Sequence, residues 1–295
     1  MSRLFKHTVA ALAAFAVSAA VTFAAFMVTG CSTAPHRARP VVVQSFADES
    51  CEATIVRGVH IGVSVDFGNT RCAGADADAR KAQAWLAGRS TTLLLDGAAT
   101  LANVQEALLV SARGLRPTDW LIVTLAAHGL QRPDLSGDEE DWKDEGIKLY
   151  DVVWWDDDIA RFVIENLPPC RILFIADTCH SEGNWRSFAR RVTGGLYDGR
   201  EQVQLELDLG MFQRSVAAWP GELAQIAGCR ENASSYGDRG GGTLHLALDR
   251  ELRGAGSITE WFDSAYKIVV ADRLQEPVLT TYNASDDFLN GGLPL

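Results

Sequence analysis

Two hydrophobic runs in this chain each end on a side chain able to do chemistry. Residues 120–129 read Trp-Leu-Ile-Val-Thr-Leu-Ala-Ala-His-Gly, and residues 171–181 read Arg-Ile-Leu-Phe-Ile-Ala-Asp-Thr-Cys-His-Ser. The first delivers the imidazole of His128 and the second the thiol of Cys179. A thiol beside an imidazole is the minimum equipment for cysteine nucleophilic catalysis, because the base takes the proton and leaves the more reactive thiolate. His128 precedes Cys179 by 51 positions, so only tertiary structure can join them.

The elements that must position them follow from the pattern. Continuous apolar runs suit central strands of a parallel sheet with helices on both faces, and reactive groups gather beyond the carboxyl ends of such strands. Strands are expected at residues 59–66, 91–95, 223–229 and 277–282 and in the two runs that carry His128 and Cys179, 120–129 and 171–181. Helices are expected at 76–86, 100–112 with Thr100 as N-cap, 156–165, 243–252 and 258–272. Pro168-Pro169 breaks the chain before the Cys179 strand. An acidic loop is expected from Pro133 to Gly146, and residues 194–211 read as an insertion. The alternation predicts an α/β three-layer sandwich with a mainly parallel, roughly six-stranded sheet.

Arg3, Lys6 and His7 precede an apolar stretch to about Val28, followed by Thr29-Gly30-Cys31-Ser32. Small residues before a cysteine are what bacterial lipoprotein processing requires, and the segment resembles a lipobox. The expected organisation is a signal peptide at 1–30, a tether at 31–54 and a folded domain at 55–295. Cys31 would be the lipidation site. The protein would then be exported and anchored to a bacterial membrane by its lipid, with the outer membrane favoured because Ser32 is not the aspartate that favours inner-membrane retention. An uncleaved apolar anchor is the competing reading. Export would expose Cys51 and Cys72 to oxidation, and the two could pair; Cys170 reads as a core residue.

The 295 residues carry a net charge of −11 with 47% hydrophobic content. That balance, without a basic stripe or phosphate-binding loop, excludes general nucleic-acid affinity. Oligomeric state is open.

At Ala126-Ala127-His128-Gly129, at Gly137-Asp138-Glu139-Glu140-Asp141 and at Asp177-Thr178-Cys179-His180-Ser181-Glu182, the chain resembles the metacaspases among the caspase-type cysteine peptidases. The resemblance runs from about Val59 to Tyr282 and implies a caspase-like fold acting on peptide or protein substrates. It implies attack by Cys179 with His128 as base and acid, and an oxyanion held by the backbone N–H groups of Gly129 and Cys179. No third member of the dyad's support is assigned, and His180 is read as non-catalytic. Cleavage after Arg or Lys is implied, with Asp78, Asp177 and Glu231 as the carboxylates of the substrate pocket. Asp78 is explained equally well as surface acidity at a helix start.

The dyad requires no cofactor. The resemblance also implies a Ca2+ site at Asp144, Asp157 and Asp158, whose carboxylate oxygens suit that ion. Against it, Arg186 stands where the family has a further aspartate, and acids at a helix start are explained by capping and the dipole. Three departures bear on function. Ala126 replaces a serine, Glu182 replaces a glycine, and Glu231-Asn232 replaces a pair of acids. Rival readings are a non-catalytic module that binds basic peptides or a protein partner in the same cleft, and a hydrolase of non-peptide acyl groups.

Overall fold

The computed structural model describes residues 53–133, 143–179, 219–230, 234–271 and 275–295, together with the backbone pairing of residues 41–43, 197–198 and 201–202. All of these lie within the compact unit Ala38–Leu295. Cys31, Cys51, residues 134–142, 180–196 and 203–218, and Glu231 lie outside the described residues.

The main sheet contains β1 (Val41–Val43), β2 (Val56–Gly62), β3 (Ser90–Leu95), β4 (Trp120–Ala126), β8 (Arg171–Asp177), β11 (Glu222–Ala227) and β14 (Val278–Tyr282), in the order β1-β3-β2-β4-β8-β11-β14. The five strands β3-β2-β4-β8-β11 run parallel, and the two edges pair antiparallel. The six expected strands are present. The seventh, β1, comes from within residues 31–54. Three consecutive β-branched residues find an open edge, with Val41 opposite Leu93 and Val43 opposite Thr91.

Among the described residues, six helices accompany the sheet: α1 (Ala75–Trp85), α2 (Leu101–Ala112), α3 (Asp156–Asn166), α4 (Thr243–Glu251), α5 (Ile258–Ala271) and α6 (Asp286–Asn290). They cover two faces because alternate residues of β4 and β8 serve two cores. Leu121, Val123, Ile172 and Phe174 pack with Val104 and Leu108 of α2 and Ile159 and Val163 of α3. Trp120, Ile122, Leu173 and Ile175 pack with Trp85 of α1, Leu244 and Leu248 of α4, and Trp261 and Ala265 of α5. Thr100 caps α2 as expected, its side chain accepting from the Asn103 amide at 3.3 Å. Smaller ladders pair β9 (Tyr197–Asp198) with β10 (Glu201–Gln202), and β12 (Gly237–Asp238) with β13 (Gly241–Gly242).

Of the expected loop from Pro133 to Gly146, the described residues, 133 and 143–146, lie in paired strands. β5 (Gly129–Pro133) pairs with β6 (Lys143–Lys148), which pairs with β7 (Val153–Trp155). Asp144 and Glu145 are buried in β6, and each meets its register partner. The Arg132 guanidinium donates to Asp144 and the Gln131 amide to Glu145, both at 2.8 Å. Cross-strand pairing makes these buried acids tolerable, and a local reading of polarity assigns them to a loop.

At the opposite end of the sheet from the reactive groups, Asp119 is fully buried. It accepts from the Ile55 amide at 2.9 Å, the Arg116 amide at 2.7 Å and the Arg116 guanidinium at 2.8 Å. Burial alone would raise its pKa. The Arg116 hydrogen bonds and the backbone donors outweigh that and lower it from 3.8 to about 2. A depressed carboxylate stabilises the fold above its unfolded pKa, and the contribution is lost as pH falls through the folded one. Acid titration is therefore expected to remove about 2 kcal/mol of stability between about pH 4 and pH 2. Asp119→Asn should flatten that part of the urea-unfolding profile against pH; an unchanged profile would show that Asp119 does not carry it.

Candidate active site

The register of β4 and β8 places the two reactive side chains. Ala126 lies directly opposite Asp177 on the neighbouring parallel strand. His128 and Cys179 each follow two residues later, past the carboxyl ends of adjacent central strands about 4.8 Å apart. Both line one open cavity of about 200 Å³, and both side chains are half-buried.

His128 Nε2 lies 2.8 Å from the Arg71 carbonyl oxygen. A carbonyl only accepts, so Nε2 carries the proton in this contact and Nδ1 is the basic nitrogen of the neutral ring. The support absent from the sequence reading is thus a main-chain carbonyl in the loop between β2 and α1. Side-chain motifs carry no trace of it.

Gly129 packs against the backbone of Cys179. A β-carbon at Gly129 would lie 1.7 Å from the Cys179 carbonyl oxygen. Only glycine permits this approach, which brings the main chain after His128 alongside Cys179. Gly129→Ala is expected to displace the two segments and lower kcat/KM by about 100-fold or more. The alkylation rate of Cys179 is the companion measurement, and wild-type values for both would refute the role given to this contact. The Cys179 sulfur faces the Ser235 carbonyl at 3.9 Å.

Asp78 and Asp177 are both buried and both line the cavity. The alternation that points Asp177 to the side of Cys179 is therefore as expected, and Asp78 is no surface acid. Both carboxylates are tied back, and Asp177 is held at both oxygens, with Oδ2 accepting from the His245 amide at 3.3 Å. The Gly242 amide donates to Asp78 Oδ2 at 2.8 Å. The Ser235 hydroxyl donates to Asp177 Oδ1, and its oxygen accepts from the Gln275 amide at 2.9 Å. Burial, reinforced by the charge of Asp177, pushes the Asp78 carboxyl up to about 6 against the opposing influence of His245.

His245, which contacts Asp177, was not singled out by the sequence reading. It is fully buried on α4, stacked on Trp85 at 5.9 Å between ring centres. Its Nδ1 lies 3.4 Å from Asp177 Oδ2. Burial opposes its protonation, but the Asp177 contact and the charges of Asp78 and Asp177 prevail, so its pKa is raised. The available signal was a single polar residue between Leu244 and Leu248 on the apolar face of a helix.

Ala126 also lines the cavity, so the missing serine hydroxyl is missing from the pocket itself. Cys72 carries a free thiol there, and Cys51, the partner considered from sequence, lies outside the described residues. Burial and then the Asp177 charge push it up to about 11. Cys170 is buried in the core as expected, and burial pushes its thiol up to about 12.

The three calcium candidates are not brought together. Asp144 is paired with Arg132 inside the hairpin, and Asp158 pairs with Arg161 at 3.0 Å on exposed helix surface. Asp157 occupies the first turn of α3. Among the described residues, only Asp78, Asp177 and His245 bring three ligand atoms within 4.8 Å of one another. These described donors do not fit a Ca2+ centre, and no catalytic step is assigned to one. Glu231, Glu182 and Arg186 lie outside the described residues.

The site thus sits on a mainly parallel α/β sheet whose adjacent central strands lead into His128-Gly129 and Asp177-Thr178-Cys179. The chain is 34% identical over 140 residues to Metacaspase-1 of Cryptococcus neoformans (strain JEC21), covering 41% of this chain and 30% of that protein. It is 38% identical over 89 residues to Metacaspase-1 of Ajellomyces capsulatus, covering 28% and 24%. The matched region thus spans less than a third of the length of these curated relatives. Protein GSU0716 from Geobacter sulfurreducens shares the fold, with a TM-score of 0.59 and 24% identity over 80% of this chain and 97% of that one. Caspase-1 from Spodoptera frugiperda gives a TM-score of 0.49 at 14% identity. No family model matches the chain. Over part of its length the chain is similar in sequence to these metacaspases.

Proposed function

We propose that the protein is a cysteine endopeptidase that cleaves after Arg or Lys using Cys179 and His128. The observation that carries this reading is the β4–β8 register, which sets the histidine and the thiol beside the buried carboxylates of Asp78 and Asp177. In the reaction, the Cys179 proton passes to His128 Nδ1 and the sulfur attacks the scissile carbonyl carbon. The oxyanion is held by the backbone N–H groups of Gly129 and Cys179. The imidazolium then protonates the leaving amine, and water hydrolyses the thioester with His128 as base. No metal is needed for any of these steps.

Two carboxylates at the base of the cavity suit a guanidinium or ammonium group, with Arg favoured by bidentate contact. Glu231 remains a candidate third acid. Incubating the protein with fluorogenic peptides ending in Arg, Lys or Asp, with and without Ca2+, tests the reading. Cleavage after Arg or Lys supports it, whereas cleavage after Asp alone or no cleavage refutes it. The second reading is a module that holds basic peptides without cutting them. The same buried carboxylates favour it, and peptide binding without turnover is its signature.

We further propose that the chain is exported and lipid-anchored through Cys31, facing the periplasm, with the outer membrane favoured. The support is the basic, apolar and small-residue order of the leader. No helix among the described residues is long and apolar enough to cross a membrane. Cys31→Ala is expected to abolish incorporation of labelled palmitate in a bacterial host. Undiminished labelling would assign the lipid elsewhere.

A further inference from the structure

Asp78, Asp177 and His245 come from three elements far apart in sequence: the first turn of α1, the end of β8 and the first turn of α4. Their ligand atoms nonetheless lie within 4.8 Å of one another. Relative exposures are 2%, 7% and 0%. This is a converging set of two oxygens and one nitrogen, unlike a solvated acidic patch.

The detailed geometry resembles a ligand set more than an ion pair. His245 Nδ1 and Asp177 Oδ2 are 3.4 Å apart, beyond the ~2.7–2.9 Å of a charge-assisted hydrogen bond. Around a tetrahedral zinc ion with bonds of about 2.0–2.1 Å, neighbouring ligand atoms lie about 3.3 Å apart. Asp78 Oδ1 is buried without a hydrogen-bond partner, a costly state for a carboxylate oxygen. Asp78 Oδ2 is fixed by the Gly242 amide, and Asp177 by the Ser235 hydroxyl at Oδ1 and the His245 amide, 3.3 Å from Oδ2. Outer contacts of this kind aim carboxylates at a metal. The His245 ring is held by stacking on Trp85, whose indole donates to Asp249 at 2.8 Å.

We infer that Asp78, Asp177 and His245 form a binding site for a divalent transition metal of the zinc class, open to the cavity beside Cys179. An imidazole ligand selects against calcium and magnesium, which take oxygen donors. The cavity side supplies the fourth position. The same two carboxylates are those assigned to the substrate's basic side chain, so metal and basic peptide exclude one another. That consequence rests on the proposed peptidase reading; the site itself does not.

The test uses Cys179→Ala protein, so that the thiol cannot bind the metal. Zn2+ affinity is measured by competition with a chromophoric chelator, and the visible spectrum of bound Co2+ reports the coordination geometry. One equivalent of metal is expected, with a four-coordinate Co2+ spectrum. His245→Gln and Asp78→Asn, checked for folding by circular dichroism, should each weaken binding by about 100-fold or more. His128→Ala should leave it within about threefold. Equal affinity in folded His245→Gln protein, an octahedral Co2+ spectrum, or loss of binding in His128→Ala would overturn the site. In the protein with Cys179 intact, Zn2+ should compete with the Arg peptide in a manner relieved by His245→Gln. Confirmed metal binding with no peptide cleavage at all would retain the site and reject the peptidase reading.

Discussion

Cys179→Ala is expected to lower kcat/KM for Arg-ending peptides by about 10³-fold or more, to the level of whatever catalysis binding and the oxyanion donors still supply. His128→Ala should cause a loss of similar size, and the double variant should be little worse. A nucleophile and its base act as one unit, so their losses do not multiply. The geometry requires this outcome if the register of β4 and β8 serves catalysis, since the sheet positions the thiol and imidazole as neighbours. Rates are read with active-site-titrated protein. A Cys179→Ala variant retaining more than a tenth of wild-type activity would move the nucleophile elsewhere. Cys72 would then be the first alternative to examine, because it lines the same cavity with a free thiol. If peptide binding persists in Cys179→Ala and the parent shows no turnover, the binding-module reading stands instead.

Asp177→Asn is expected to have the second largest effect, and to be selective. The substitution keeps the shape of the side chain and removes the charge that faces the substrate's basic group. Truncating one partner of a buried charged pair costs about 2–4 kcal/mol, corresponding to about 30- to 800-fold in kcat/KM for the Arg peptide. Cleavage after an uncharged residue, however slow in the parent, should change little. Asp177 also accepts from Ser235 and faces His245, so a general disturbance of the site must be separated from lost recognition. The alkylation rate of Cys179 makes that separation, because it senses the dyad and not the pocket. Equal losses on Arg and uncharged peptides, with unchanged alkylation, would remove Asp177 from specificity.

The sequence made the platform legible and hid much of what surrounds it. β4 and β8 were readable because a strand buried on both faces becomes an unbroken apolar run, whereas a strand with one wet face alternates with polar residues. Their terminal residues could then be placed by chain order alone. Asp177 followed from the two-residue period of a strand. The hairpin β5–β6 did not, because Asp144 and Glu145 look solvated until the opposite strand provides Arg132 and Gln131. β1 was hidden since its stability depends on an open edge at β3, and three valines in isolation specify no partner. The Arg71 carbonyl is a backbone atom, which no side-chain pattern encodes. His245 reaches Asp177 from a helix 66 residues beyond Cys179. Its significance depends on the carboxylates it meets there.

Leu121, Ile122, Leu173 and Ile175 are almost entirely screened from water, with helices pressed on both sides of the strands they occupy. The reactive pair consequently stands on the least deformable timber of the building, and any yielding to a bulky substrate must be borne by the joinery around it. The β5–β7 hairpin and the short ladder at residues 237–242 are the pieces so placed. An evolving version of this protein has most liberty to change what it accepts there, while the foundation for its chemistry stays as it is.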